Sequence, residues 1–180
     1  MADSNSTKLE LASALKTLTR KSSLEKISVT DICKLCGVNR KSFYYHFQDK
    51  YALVNWIFDT EFGAIASGND NNDGLRALLR LLEYLYENRT FYRRAMQVKG
   101  QNSFTEHFRG LLVSSVKSRL CGIFNTESLD FRINFYADAF LCTIERWLVG
   151  RDSMPPGKLF GMICSCLSDS SEMREAIGEN

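Results

Sequence analysis

Apolar residues recur at three- and four-residue steps through almost the whole chain, and few helix-breaking residues interrupt them. Leu11, Leu15 and Leu18 fall at i, i+4 and i+7 and predict a first helix over about residues 6–20. Leu75, Leu78, Leu79, Leu82 and Leu85 repeat the pattern with Arg76, Arg80, Glu83 and Glu87 on the opposite side. Further helical stretches follow at about 89–98, 102–121, 128–150 and 156–168. Only 2 Pro and 11 Gly stand among 180 residues, too few turn residues for a sandwich of many short strands. The pattern predicts an all-α fold. A chain of this length buries roughly 70% of its unfolded surface and needs no disulfide or metal to fold. Hydrophobic residues at 44% and charged residues at 24% exclude a disordered or fibrous chain.

Between residues 27 and 50 the helix signals are dense. Ser28-Val29-Thr30-Asp31 fits a capping box, with Ser28 as N-cap and Asp31 returning to it. The helix it opens carries Val29, Ile32, Cys33 and Cys36 on one stripe and stops at Gly37, which is free to take positive φ. Asn39 caps a third, very short helix in which Phe43 and Phe47 are i, i+4 partners. Asp49 caps a fourth, with Leu53, Val54, Ile57 and Phe58 inward. Two helices joined by a tight Gly turn, the second rich in Arg, Lys, Ser and Tyr, form a helix-turn-helix pattern. Arg40, Lys41 and Ser42 stand in the first turn of that second helix, from which side chains reach base edges. Tyr44, Tyr45, His46 and Lys50 stand where phosphates are usually met. Charge is distributed accordingly. Residues 1–60 hold nine Lys and Arg against six Asp and Glu, a net +3, whereas residues 61–180 hold fourteen against fifteen, a net −1.

The segment from Ile27 to Lys50 resembles the TetR family of bacterial transcriptional regulators in its Val29-Thr30-x-Ile32 opening, Gly37-Val38, the Phe43-Tyr44-x-His46-Phe47 block and Lys50. The resemblance covers about residues 8–60 and departs at Cys33 and Cys36, where the family more often has Ala. Farther on, Phe91-Tyr92, the run from Lys99 to Phe104, and Glu145-Arg146-Trp147-Leu148 followed by Pro155-Pro156 look like a short-bodied branch that includes regulators of dihydroxyacetone kinase operons. The resemblance implies a DNA contact set of Thr30, Arg40, Lys41, Ser42, Tyr44, Tyr45, His46 and Lys50. It also implies a homodimer on a double-stranded DNA operator. Together these readings predict nine helices. A three-helix DNA-binding head with a connecting helix occupies residues 1–60, and a five-helix sensing and dimerisation body occupies residues 61–180.

Two apolar stripes run along residues 131–149: Ile133, Ala137, Phe140, Ile144 and Trp147 on one side, Phe135, Ala139, Cys142 and Val149 on the other. A helix apolar on two sides must be covered on two sides. With Leu159, Phe160, Ile163 and Leu167 of the next helix it predicts an isologous four-helix interface through Phe140, Ile144, Trp147, Leu148, Leu159, Phe160 and Ile163. The aromatic density of the body suits an apolar pocket oriented by polar groups, and Tyr92, Phe104, His107, Phe135 and Asp138 are the candidate contacts for a small-molecule effector or protein partner. Asp138, between apolar neighbours, is expected to face a cavity, a partner or a cation, because burying it unpaired is costly.

Other functions find little support. There is no GxGxxG, GxSxG, P-loop or HExxH motif, and His107 has only Glu106 beside it, 100° away on a helix. No enzyme activity and no cofactor are expected. Cys33-x-x-Cys36 lacks the two further ligands a zinc site needs, since the histidines are only His46 and His107. The segment from Ser67 to Gly74 reads as a linker; as a calcium loop it would need an acid where Arg80 stands. No signal peptide or membrane span is visible, so a cytoplasmic protein with thiol cysteines is expected. Two alternatives remain: an interaction protein acting through a partner, and a redox sensor using Cys142, Cys164 or Cys166.

Overall fold

A computed structural model describes residues 4–66, 74–100, 102–120, 126–150 and 154–177. The predicted linker lies almost wholly at residues 67–73, outside the described residues. Among those described there are nine α-helices and no strand: α1 (Ser4–Thr19), α2 (Val29–Cys36), α3 (Arg40–His46), α4 (Lys50–Ala66), α5 (Gly74–Glu87), α6 (Arg89–Met96), α7 (Phe104–Leu120), α8 (Thr126–Val149) and α9 (Pro156–Ile177). A single 3-10 turn, Leu24–Lys26, joins α1 to α2. No helix among the described residues is long and apolar enough to cross a membrane.

The local signals at the N-terminal end act as the sequence predicts. Ser28 Oγ accepts from the Asp31 backbone N–H at 3.2 Å, and Asp31 Oδ2 accepts from the Ser28 N–H at 2.9 Å, closing the capping box. Gly37 adopts φ 72° and ψ 13°, and its N–H bonds the Cys33 carbonyl. That left-handed turn sets the angle between α2 and α3. Asn39 Oδ1 accepts from Ser42 N–H at 2.8 Å, and Asp49 Oδ1 accepts from Tyr51 and Ala52 N–H at 2.8 and 2.7 Å. Each cap satisfies backbone donors that the helix start leaves orphaned. Cys33 is buried in the core, its thiol pushed up by desolvation, and Cys36 Sγ donates to the Ile32 carbonyl at 3.2 Å.

The core is one continuous cluster running from Leu11, Leu15 and Ile32 in the head to Leu148, Leu159 and Ile163 in the body. Residue 60, where the sequence places the end of the head, lies inside α4, which continues to Ala66 and carries the core across. Its Phe58 is the hub: the rings of Phe62, Tyr84, Tyr92, Phe104 and Phe108 surround it with centroids 5.3 to 6.0 Å away. In the body α7 packs along α8, α5 against α9, and α6 against α8. The α5 stripe is rotated from its predicted line. Leu81, Leu82, Tyr84 and Leu85 are buried, and Leu75 is half exposed.

Candidate nucleic-acid interface and effector cleft

Helix α3 is anchored by Phe43 and Phe47, both buried, with ring centroids 5.9 Å apart. That anchorage turns Arg40, Lys41, Tyr44 and Tyr45 outward, as successive i, i+4 pairs on an exposed face. The Arg40 guanidinium lies 5.8 Å over the Tyr44 ring, a contact that limits the conformations of a long flexible side chain. Tyr45 is 82% exposed, with the half-buried His46 ring edge-on to it at 5.0 Å. Thr30 and Ser42 are half-buried at the first turns of α2 and α3. Seven of the eight predicted DNA contacts therefore belong to the surface of the helix-turn-helix or its capped helix starts.

Lys50 does not. Its ammonium donates to the carbonyls of Leu24, Glu25 and Ile27 at 2.8, 2.9 and 2.7 Å. An ammonium has three donors, and all three are taken. Burial also lowers its basicity below the usual lysine value. The sequence assigns Lys50 to a phosphate. The structure instead makes it the clamp between the start of α4 and the 3-10 turn before α2.

A polar chain ties the head to the body. Lys16 of α1 bonds both carboxylate oxygens of Glu61 on α4, at 2.6 and 2.5 Å, and Asn88 Oδ1 at 3.4 Å. Glu61 Oε2 also accepts from Tyr84 OH at 2.9 Å, and Tyr84 OH lies 2.5 Å from Tyr92 OH. Burial drives both phenols far above their ordinary range, so both are neutral. Next to this chain is a cleft of about 300 Å3 between α4, α5, α7, α8 and α9, walled by Phe62, Leu78, Leu81, Leu112, Val116 and Phe140, with Ser115 and Arg119 among its polar members. Phe62 links the two, its ring 5.9 Å from that of Tyr84.

The five predicted effector contacts do not converge on that cleft. Tyr92 and Phe104 are core residues with no exposed surface to offer a ligand. His107 Nε2 pairs with Asp59 Oδ1 of α4 at 2.7 Å, a carboxylate 48 residues away that sequence neighbourhood did not point to. Phe135 is exposed on the outside of α8. Asp138 is half exposed and held by Arg109, Nε at 2.6 Å and Nη2 at 3.2 Å, with Arg109 also reaching Asn134. The arginine holds the Asp138 carboxyl below its usual range. Asp138 thus faces a cation, one of the surroundings expected for it, but that cation is the chain's own Arg109, and the pair braces α7 against α8 at the surface. The hydrogen bond from Arg109 outweighs desolvation there, on a side of the helix that is turned to solvent.

The two stripes of α8 part company in the same way. Ile133, Ala137, Ile144 and Trp147 are buried in the protomer, whereas Phe135, Ala139 and Cys142 are exposed. The predicted dimer residues Ile144, Trp147, Leu148, Leu159 and Ile163 cover the chain's own core, and Phe140 and Phe160 pack half-buried against it. Trp147 stacks on Tyr86 and donates its indole N–H to the Met154 carbonyl at 2.8 Å. The five buried residues are not a free surface. What remains open is a shallow groove of Phe131, Phe135, Ala139 and Cys142, with Met162 and Cys166 exposed on α9.

The comparisons with known proteins agree with this architecture. Residues 11–57 match the family model described as bacterial regulatory proteins, tetR family, and residues 73–169 match that of a transcriptional regulator C-terminal region. Among curated proteins the chain is 35% identical over 99 residues to the HTH-type dhaKLM operon transcriptional activator DhaS of Lactococcus lactis subsp. lactis (strain IL1403). That match covers 54% of this chain and 51% of the relative, so the chain spans about half the length of the relative it matches. Similar folds include the dihydroxyacetone kinase operon activator DhaS (TM-score 0.70, 24% identity, 93% of this chain and 97% of that one). They also include a TetR transcriptional regulator from Streptococcus agalactiae 2603V (0.67, 23%, 88% and 92%). More distant is NalD, the secondary repressor of the MexAB-OprM multidrug efflux pump in Pseudomonas aeruginosa (0.57, 19%, 96% and 95%). With the helix-turn-helix at one end and a matched regulatory region over more than half of its length, the chain belongs to the TetR family of bacterial transcriptional regulators.

Proposed function

We propose that the chain is a sequence-specific DNA-binding regulator that acts as a homodimer on a pseudo-palindromic operator and is switched by an effector in its body. The observation that carries the reading is the outer face of α3. Arg40, Lys41, Tyr44 and Tyr45 are exposed on a helix of seven residues whose inner face is fixed by Phe43 and Phe47. So short a helix has little stability of its own, and held rigidly by a core it presents base-reading and phosphate-binding groups at fixed spacing. In the dimer each head enters one major groove, with half-sites about one helical turn apart. Residues 1–60 act as the reading head and residues 61–180 as the sensing body, with α4 belonging mechanically to both.

The open face of α8 and α9 is the proposed meeting surface of the two protomers, and the cleft beside Phe62 is the proposed effector site. An effector switches the protein only by binding one head spacing more tightly than the other. The route from the cleft runs through Phe62 and Tyr84 to Glu61 and so to Lys16 of the head. The name of the Lactococcus lactis relative makes a dhaKLM operon promoter the first DNA to try, and a reporter driven from it distinguishes activation from repression.

Selection of genomic fragments with the purified protein tests the reading. We expect enrichment of a palindrome, and Arg40→Ala should relax base preference at one position per half-site at a cost of ~1–3 kcal/mol. Recovery of fragments with no shared palindrome would remove sequence-specific regulation as the function.

A further inference from the structure

The effector cleft has an asymmetric wall. Apart from Ser115 and Arg119, every residue lining it is apolar. These two stand at i, i+4 on α7 and so share a face of the helix. No carboxylate of the described residues pairs with Arg119: the ion pairs there join Lys16 to Glu61, Lys99 to Glu145, His107 to Asp59 and Arg109 to Asp138. A neighbouring cleft that shares Phe62, Leu81, Leu112 and Ser115 brings an acid close, Asp59, but that carboxylate is engaged by His107. One cationic fork therefore stands at the edge of an otherwise oily cleft.

We infer that the cleft takes a small amphipathic monocarboxylate, its tail against Phe62, Leu81 and Phe140 and its carboxylate on the Arg119 guanidinium beside the Ser115 hydroxyl. The inference rests on the cleft being the effector site and adds the chemical class of the effector. Charge and size select it. An amine would meet a like charge, and a dianionic phosphate ester would meet only one cation in the lining. A neutral alkane would leave the planar donors of Arg119 unused, whereas a carboxylate matches them two for two. A cleft of about 300 Å3 lies at the small end of the range for ligand pockets and suits a short ligand such as octanoate.

Calorimetric titration of the full chain with octanoate, 1-octanol and octylamine, for wild type and Arg119→Gln, tests the inference alongside operator binding by the same samples. Octanoate should bind at least tenfold more tightly than the alcohol or the amine. Arg119→Gln should abolish that preference while leaving octanol affinity unchanged, which also shows that the cleft is intact. Equal affinity for octanoate and octanol, or an undiminished preference in Arg119→Gln, overturns the assigned class and leaves an apolar effector cleft in place. Binding of none of the three by a protein that binds its operator normally overturns both the class and the cleft, while the DNA-reading function stands. Octanoate binding by a protein that selects no operator supports the class of ligand and removes the regulator reading instead.

Discussion

Lys50 spends its three donors on the carbonyls of Leu24, Glu25 and Ile27, which leaves none for a phosphate. Lys50→Met leaves three carbonyls without their charged partner, a loss of about 1–3 kcal/mol. It should lower the melting temperature and weaken the operator complex equally at every ionic strength. A phosphate contact would behave differently, flattening the slope of log affinity against log salt by about one unit. A flattened slope in Lys50→Met would return that residue to the DNA interface. Asp31 offers a second test. The Ser28 hydroxyl and backbone N–H hold its carboxyl below the usual carboxylate range. A folded value below the unfolded one stabilises the protein above the unfolded value, and the gain disappears as pH falls through the folded value. Asp31→Asn should therefore melt below wild type at pH 7, with the gap starting to close only below the unfolded value near pH 4 and vanishing below the folded one. A gap that does not narrow as the pH is lowered from about 4 would mean that the capping box does not depend on the charge. Caps of this kind were readable in advance because both partners sit within three residues. The three carbonyls that Lys50 meets are 23 to 26 residues away, and nothing local in the sequence marks them.

Helices α1, α4, α5 and α6 meet around a polar chain, buried at Tyr84 and Tyr92 and half-buried at Lys16 and Glu61, that the sequence did not reveal. In the sequence Tyr92 stands only among the aromatics expected to line a pocket. The Tyr84 and Tyr92 hydroxyls lie 2.5 Å apart in the core, and Tyr84 hands the chain on to Glu61. Tyr84→Phe leaves the Tyr92 hydroxyl buried without its partner and should cost about 1–3 kcal/mol in urea unfolding. Tyr84→Phe with Tyr92→Phe removes both groups and should cost clearly less than the sum of the single changes. Additive costs would mean that the two hydroxyls act independently. The helices themselves were legible, most to within two or three residues, because periodicity and caps are local properties. Which side of a helix is inside is not local when both sides are apolar. In α8 the sequence presented two stripes of similar character, and only the position of α7 and α6 decides that Ile133, Ala137 and Ile144 go in while Phe135 and Cys142 stay out. The cleft escaped notice for a related reason. Its walls are ordinary leucines and phenylalanines, distinguished only by a gap between helices that no single segment encodes.

A regulator that reads a palindrome needs two heads at a fixed distance, and among the described residues the outside of α8 offers an apolar surface for fixing it. Phe131 and Phe135 are 75% and 57% exposed on the outside of α8, stacked with centroids 6.2 Å apart. Met162, on α9, is 52% exposed. Fully burying a phenylalanine is worth about 1.5–3 kcal/mol. In an isologous interface each residue counts twice, because the two-fold axis presents the same patch from both sides. Phe135→Asp removes that burial from both subunits and sets two carboxylates near the axis. The variant should fold normally, since Phe135 supports no part of the protomer's own core, and light scattering at micromolar concentration should give the mass of one chain. Ile144→Asp is the contrasting control: Ile144 is fully buried within the protomer, so that variant should lose its cooperative melt rather than its partner. Operator affinity should follow the assembly state. Two linked heads gain 10² to 10⁴ in avidity over one, so the Phe135→Asp monomer should retain weak, salt-sensitive binding to half-sites and lose the preference for their spacing. A Phe135→Asp protein that remains dimeric, or a monomer that still discriminates half-site spacing, would move the assembly surface elsewhere on the molecule.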